Sequence, residues 1–220
     1  MRLLAGRKAV LFDLDGTLVD TIGDLAGSLN YALDKNGLPT LAVHDVLYLV
    51  GHSVAWMCRM AVPEAVREAR WQQVYADCDA YYAQHCCDTS RPYEGILRTL
   101  SRLRAAGVTL AVVTNKPHRH AMHVVNALFP RDTFSMVLGM MEKFEKKPAP
   151  DPLNFVLDYL GVAPRDAIYA GDSEVDVAFA KNAGLPCISV TWGFRPRAEL
   201  IAAGATCLID DPEELLEVVL

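Results

Sequence analysis

Residues 13–17 read Asp-Leu-Asp-Gly-Thr, two carboxylates two positions apart followed by a residue that permits a tight turn. Were a strand to run through them, its alternation would put Asp13 and Asp15 on one face. A carboxylate can act as a covalent nucleophile, forming an aspartyl-phosphate where the electrophile is phosphorus. A second carboxyl group beside it can serve as general acid and then as general base. Like charges at close range push the two proton affinities apart, which suits one nucleophile and one proton donor.

An anion attacking a phosphate dianion needs positive charge and hydrogen-bond donors, and three further segments offer them. Thr114 and Asn115 close an apolar run, where a hydroxyl and the N–H groups of a nearby helix start can hold a phosphate. Lys147 precedes Pro148-Ala149-Pro150-Asp151-Pro152, whose prolines stiffen the chain ahead of a helix. An ammonium there can neutralise a phosphoryl oxygen or an acyl-phosphate. Gly171-Asp172-Ser173-Glu174-Val175-Asp176 follows another apolar run, and Asp172 and Asp176 share a face of a helix start at i and i+4. These carboxylates and a phosphate make an oxygen-rich donor set with no soft ligand converging on it, which favours Mg²⁺ over zinc or copper. Singly, each piece is a common structural feature, since Asp is favoured in turns and caps at strand ends. Four such pieces in order, all at or near expected strand ends, make coincidence a poor account.

Positioning these side chains requires a scaffold, and the pattern supplies one. Residues 8–12, 108–113, 167–170, 186–190 and 206–209 are short apolar runs that read as buried strands. Helical spacing fills 96–106, 117–128, 152–160, 174–183 and 212–219. The alternation predicts an α/β fold, a Rossmann-like doubly wound parallel sheet covered on both faces, with ligands at the carboxyl ends of its strands. Residues 20–89 break the alternation, with helical patterns around 25–33, 43–50, 54–61 and 63–85 and no strong strand signal. The expected division is a core of residues 1–19 and 90–220 with a small helical domain of residues 20–89 inserted after the first strand.

Composition is that of an ordinary globular chain: 220 residues, 52% hydrophobic, 22% charged and a formal net charge of −6. That balance argues against a nucleic-acid binder. The acids at 210, 211, 213, 214 and 217 read as a solvated helix start. The six cysteines show no CxxC pair and no Cys/His spacing of a zinc site, and are expected as reduced packing thiols. The N-terminus offers no apolar stretch of signal-peptide length, and no run is long enough to span a bilayer, so the expected location is cytoplasmic. His118, His120 and His123 are expected on an exposed helix start. Trp192-Gly193-Phe194-Arg195 is expected chiefly to pack, with a part in a pocket rim as the alternative.

In order, DLDGT, TN, KP and GDSEVD resemble the motifs of the haloacid dehalogenase superfamily over essentially the whole chain. FDLDGTLVDT, TNKP and KPAPDP are similar to the phosphoglycolate phosphatase group in particular, and the insertion looks like that group's helical cap. The resemblance implies a Mg²⁺-dependent phosphatase acting on a small phosphorylated metabolite, as monomer or homodimer. Asp13 would carry the phosphoryl group, and Asp15 would protonate the leaving alcohol and then activate water. Thr114, Asn115 and Lys147 would hold the phosphate. Asp13, the main-chain carbonyl of Asp15 and Asp172 would bind Mg²⁺, with Asp176 orienting Lys147 or a metal-bound water. Gly51 and His52 match a cap segment that faces the site and would touch substrate. One departure is residues 138–146, which lack the acidic loop common in relatives; Met140 and Met141 there read as core. With 2-phosphoglycolate as the first substrate, a pyrophosphatase or sugar-phosphate phosphatase stays open, as do, at greater distance, a phosphomutase and a non-catalytic regulatory protein. A dehalogenase is disfavoured by Asp15.

Overall fold

The computed structural model describes residues 4–220. Ala9–Phe12 (β1) is four consecutive buried apolar residues, the pattern of a strand covered on both faces. The chain continues through Val19–Asp20 (β2), Ile22–Lys35 (α1), Val43–Leu47 (α2), Val54–Ala61 (α3), Arg67–His85 (α4), Arg91–Pro92 (β3) and Ile96–Ala105 (α5). It then runs through Thr109–Pro117 (β4), His118–Leu128 (α6), Met136–Met140 (β5), Asp151–Leu160 (α7), Ala167–Gly171 (β6), Glu174–Asn182 (α8), Cys187–Val190 (β7), Arg197–Ala202 (α9), Cys207–Ile209 (β8) and Glu214–Val219 (α10).

Six strands form one sheet in the order β5-β4-β1-β6-β7-β8, every pair parallel. Strand alternation divides the core in two. Val10, Phe12, Leu110, Val112, Ile168 and Ala170 face a cluster that includes α5, α6, α10 and the helices inserted before β3. Ala9, Leu11, Ala111, Val113, Ala167 and Tyr169 face the opposite cluster, built with Leu153, Val156 and Leu157 of α7 and Phe179 of α8. The strand order reverses beside β1: β4 and β5 lie on one side of it, β6 to β8 on the other. In open α/β sheets that is where the crevice for a ligand opens.

Between β2 and β3 the described chain is helical. Leu25, Leu29, Ala32 and Leu33 of α1 are buried at helical spacing, and α1 packs on α4. β2 and β3 pair antiparallel, Val19 with Pro92 and Asp20 with Arg91, so the strand that leaves the sheet for these helices lies beside the strand that returns. No helix among the described residues is long and apolar enough to cross a membrane.

Several expectations need correction. β5 is a strand that the pattern did not predict. Its Met and Gly content carries little β signal, and a Cβ on Gly139 would stand 2.6 Å from the main-chain oxygen of Lys116, so the pairing with β4 demands glycine. β4 runs on to Pro117 with a register shift after Val113, which places Thr114 and Asn115 inside the strand, with α6 starting only at His118. The helix expected over 43–50 stops at Leu47, that over 63–85 begins with a separate 3₁₀ turn, and α9 was not foreseen. Met140 is half-buried and Met141 exposed, so Met141 is not core.

Asp24, in the first turn of α1, fastens the two ends of the inserted helices together. It accepts from Thr89 N (2.9 Å), Thr89 Oγ1 (2.5 Å), Ser90 N (2.9 Å) and Ser90 Oγ (2.6 Å). Burial works against its charge, but the hydrogen bonds from Ser90 and Thr89 outweigh it and hold the carboxyl below its ordinary value. Replacing Asp24 with Ala strands four donors, and the expected cost is about 2–4 kcal/mol. Urea unfolding checks this as a lower midpoint with unchanged slope.

Candidate active site

β1, β4 and β6 are adjacent, so their carboxyl ends bring Asp13, Thr114 and Asp172 to one place. Asp13 extends the β1–β6 ladder by one bond, its N–H donating to Ala170 O at 2.9 Å. The chain then turns sharply at Gly16, whose φ of +80° is the left-handed region that favours glycine. A Cβ at Gly16 would lie 2.3 Å from Asp172 Oδ2, and one at Gly193 would lie 2.3 Å from Asp172 Cβ. Two bare backbones therefore close over Asp172. Its oxygens accept from Thr17 Oγ1 (3.0 Å) and Phe194 N (2.8 Å).

Lys147 reaches this point from the loop before α7. Its buried ammonium sits 3.0 Å from Asp13 Oδ2, 2.8 Å from Asp176 Oδ1 and 3.0 Å from the Tyr169 hydroxyl, which donates in turn to Val113 O. Asp176 Oδ2 accepts from Ser173 N and Oγ, the capping box of α8. Both Asp176 oxygens are thus engaged by protein. Carboxylate oxygens of Asp13, Asp172 and Asp176 lie within 4.8 Å of one another.

Burial raises the Asp13 carboxyl to about 6, against the opposing pull of Lys147 and with the help of Asp176. Burial, then the charges of Asp176 and Asp13, raise Asp172 to about 8. Burial lowers the proton affinity of Lys147, yet the charges of Asp13 and Asp176 outweigh it and hold the ammonium firmly protonated.

One pocket is lined by Asp13, Asp15, Thr114, Asn115 and Asp172 from the core and by Gly51, His52, Leu25, Leu49 and Met57 from the inserted segment. All nine residues singled out from the sequence lie in this pocket or, for Lys147 and Asp176, in the charge cluster behind Asp13. Asn115 has other partners than a phosphate: its amide donates to Gly51 O (3.2 Å) and Lys147 O (3.3 Å) and accepts from Lys147 N (2.8 Å). The Trp192–Arg195 loop, expected chiefly to pack, contributes Phe194 and Arg195 to the pocket wall. Arg195 donates to Leu47 O and Val50 O, both at 2.7 Å, clasping the inserted segment to the core.

Lys116 was missed. Its side chain is 0% exposed, and its ammonium lies 2.8 and 3.1 Å from the two oxygens of Asp15 and 2.6 Å from the hydroxyl of Tyr82 on α4. Thr21 Oγ1 also donates to Asp15 at 2.8 Å, so the carboxylate is oriented from two sides. The signal was present: in a strand that continues past Thr114, Lys116 falls two residues on and on the same face. His120 also departs from expectation, since it is 2% exposed and its Nε2 lies 2.8 Å from Asp79 of α4.

The comparisons with known proteins agree with this geometry. The sequence profile described as haloacid dehalogenase-like hydrolase matches residues 10–190. A phosphoglycolate phosphatase of Haemophilus influenzae (strain 86-028NP) is 34% identical over 218 residues, covering 96% of this chain and 97% of that protein. The crystal structure of a predicted phosphoglycolate phosphatase from Haemophilus somnus 129pt superposes with a TM-score of 0.90 at 31% identity, covering 98% and 99% of the two chains. That of CbbY from Rhodobacter sphaeroides in complex with phosphate superposes with a TM-score of 0.77 at 25% identity, covering 95% and 96%.

Because the folded values of Asp13 and Asp172 lie above the usual carboxylate value of about 3.9, the folded chain binds more protons than the unfolded one between roughly pH 4 and 8. The contribution of these groups to stability is therefore fully present below that window and is lost as pH rises through about 6 and about 8. Thermal unfolding in EDTA across this range should show the decline, and Asp172→Asn should make it shallower.

Proposed function

From the premise that this chain belongs to the haloacid dehalogenase-like hydrolase family and is a phosphoric monoester hydrolase of the phosphoglycolate phosphatase-like kind, we propose that it removes phosphate from a small metabolite through an aspartyl-phosphate on Asp13. 2-Phosphoglycolate is the first substrate. The observation that carries the reading is the 3.0 Å ion pair between Asp13, which lines the pocket, and Lys147 directly behind it, with Asp172 beside them. It sets a nucleophile, a phosphate-binding cation and a further buried carboxylate at one point.

In this reading an Asp13 oxygen attacks phosphorus and the bond to the leaving alcohol breaks. Asp15 must enter the cycle protonated to give that proton to the departing oxygen; as the carboxylate paired with Lys116 it then takes one from the water that attacks phosphorus and frees Asp13. Lys147 and the Thr114 hydroxyl hold phosphoryl oxygens, while Asp176 and Tyr169 keep Lys147 on station. Asn115 fixes the main chain of Lys147. Lys116 and Thr21 aim the Asp15 carboxylate.

The donor set fits Mg²⁺. It is all oxygen, and Asp13 and Asp172 are buried carboxylates whose charge the burial opposes. Asp13, Asp172 and the main-chain carbonyl of Asp15 would hold the ion, and Asp176, with both oxygens taken, would not. Bound there, Mg²⁺ supplies the positive charge that lets an anion approach a phosphate dianion. Residues 20–89 act as the cap over a core of residues 1–19 and 90–220. Their Gly51 and His52, with the apolar Leu25, Leu49 and Met57, bound a space suited to a small substrate.

Phosphate release is to be measured on 2-phosphoglycolate, pyrophosphate, sugar phosphates and p-nitrophenyl phosphate, with Mg²⁺ and with EDTA. The expected result is Mg²⁺-dependent release with 2-phosphoglycolate preferred; preference for another compound would reassign the substrate while keeping the class. Asp13→Asn should abolish turnover in a folded protein. Asp15→Ala should lower kcat about 10²–10⁴-fold on alkyl phosphates. Formation of the aspartyl-phosphate should suffer less with p-nitrophenyl phosphate, whose leaving group needs no proton.

A further inference from the structure

Cys86 and Cys87 close α4 at the end of the inserted segment, and His123 lies on α6 of the core. The sequence gives no hint that they meet, yet their ligating atoms all lie within 4.8 Å of one another. The two sulfurs are 3.8 Å apart. Two thiolates on one zinc ion, each at about 2.3 Å and separated by the tetrahedral angle, stand about 3.8 Å apart. The pair therefore already has the edge length of such a site. Cys86 is buried, Cys87 half-buried and His123 exposed, so the group descends from solvent into the molecule and offers an ion a way in. Both cysteines are free thiols.

We propose that Cys86, Cys87 and His123 form a binding site for one soft divalent ion of the zinc class, with three protein ligands and the fourth position open to solvent. The site is chemically orthogonal to the Asp13–Asp172 pair. Sulfur and imidazole select zinc-like ions, whereas an all-oxygen set selects magnesium. Burial raises both thiols, Cys87 to about 12, so they are neutral without metal, and an ion entering the site releases their protons. Because two ligands end α4 and the third belongs to α6, an ion held there fastens the inserted segment to the core at the point where α4 turns back towards β3.

Cadmium titration of the reduced, full-length protein tests this, with saturating Mg²⁺ present to occupy the oxygen site. The readout is the near-ultraviolet sulfur-to-cadmium charge-transfer absorption, which oxygen ligands do not give. The expected result is a band saturating at one equivalent, lost in Cys87→Ser and formed with at least about tenfold weaker affinity in His123→Ala. Both variants should keep Mg²⁺-dependent phosphatase activity within about twofold of the parent, since neither residue touches the pocket. Absence of the band in the parent protein overturns the site. So does a band that survives Cys87→Ser, which would place the sulfur ligands elsewhere, or an affinity unchanged in His123→Ala.

Discussion

Four carboxylates and two ammonium groups share the carboxyl edge of the sheet, and the rest of the molecule is arranged around that imbalance. Asp15 has Lys116 for itself, while Lys147 lies between Asp13 and Asp176. Among the described residues, Asp172 is met by hydrogen bonds from Thr17 and Phe194 and by no cation. Uncompensated buried charge is among the costliest states a protein can hold. The deficit of positive charge falls on Asp13 and Asp172, the two whose proton affinity is raised. Such a site holds more carboxylate than the neighbouring ammonium groups can balance, which suits it to an added cation. The adjacency of β1, β4 and β6, the bare backbones at Gly16 and Gly193 and the deep reach of Lys147 all serve to hold that deficit in one place.

Most of the fold and the core of this site were legible because they are written in local patterns. Buried parallel strands announce themselves as unbroken apolar runs, and the motif residues sit where those runs stop. What was not legible depends on distance. Lys116 and Tyr82 are 34 positions apart, Asp79 and His120 are 41 apart, and nothing in the spacing of either stretch marks the pair. The histidines after β4 therefore read as solvent-facing, although His120 is sealed under α4. β5 escaped for a different reason: methionine and glycine favour no strand, and only contact with β4 makes one of them. The role of Trp192–Arg195 was likewise hidden. Aromatic residues usually mean packing, and Trp192 does hydrogen-bond Thr17 O at 3.1 Å, but the loop also walls the pocket.

The contact between the inserted helices and the core is polar where it meets the site. Lys116, Arg119 and His120 of the core engage Tyr82 and Asp79 of α4, and Arg195 spends two donors on the carbonyls of Leu47 and Val50. Behind these contacts a single apolar cluster joins both parts, from Phe12 in the sheet to Leu29 in α1 and Val74 in α4. These polar contacts can be exchanged for water one at a time, while the apolar packing behind them resists separation. The polar contacts orient the inserted segment relative to Asp13, and the apolar ones hold it there.

The pairing of β2 with β3 has an evolutionary side. The inserted helices leave and re-enter the sheet through two strands lying side by side, which neighbouring strands do at about 4.8 Å. To the core, the insertion is a segment whose two ends almost touch. Closing the chain across so narrow a gap requires no particular length or architecture between the ends, and loop-closure entropy grows only slowly with length. A lineage can therefore lengthen, shorten or exchange the helices over the pocket, and with them the shape of what is admitted, while the charged floor beneath stays as it is.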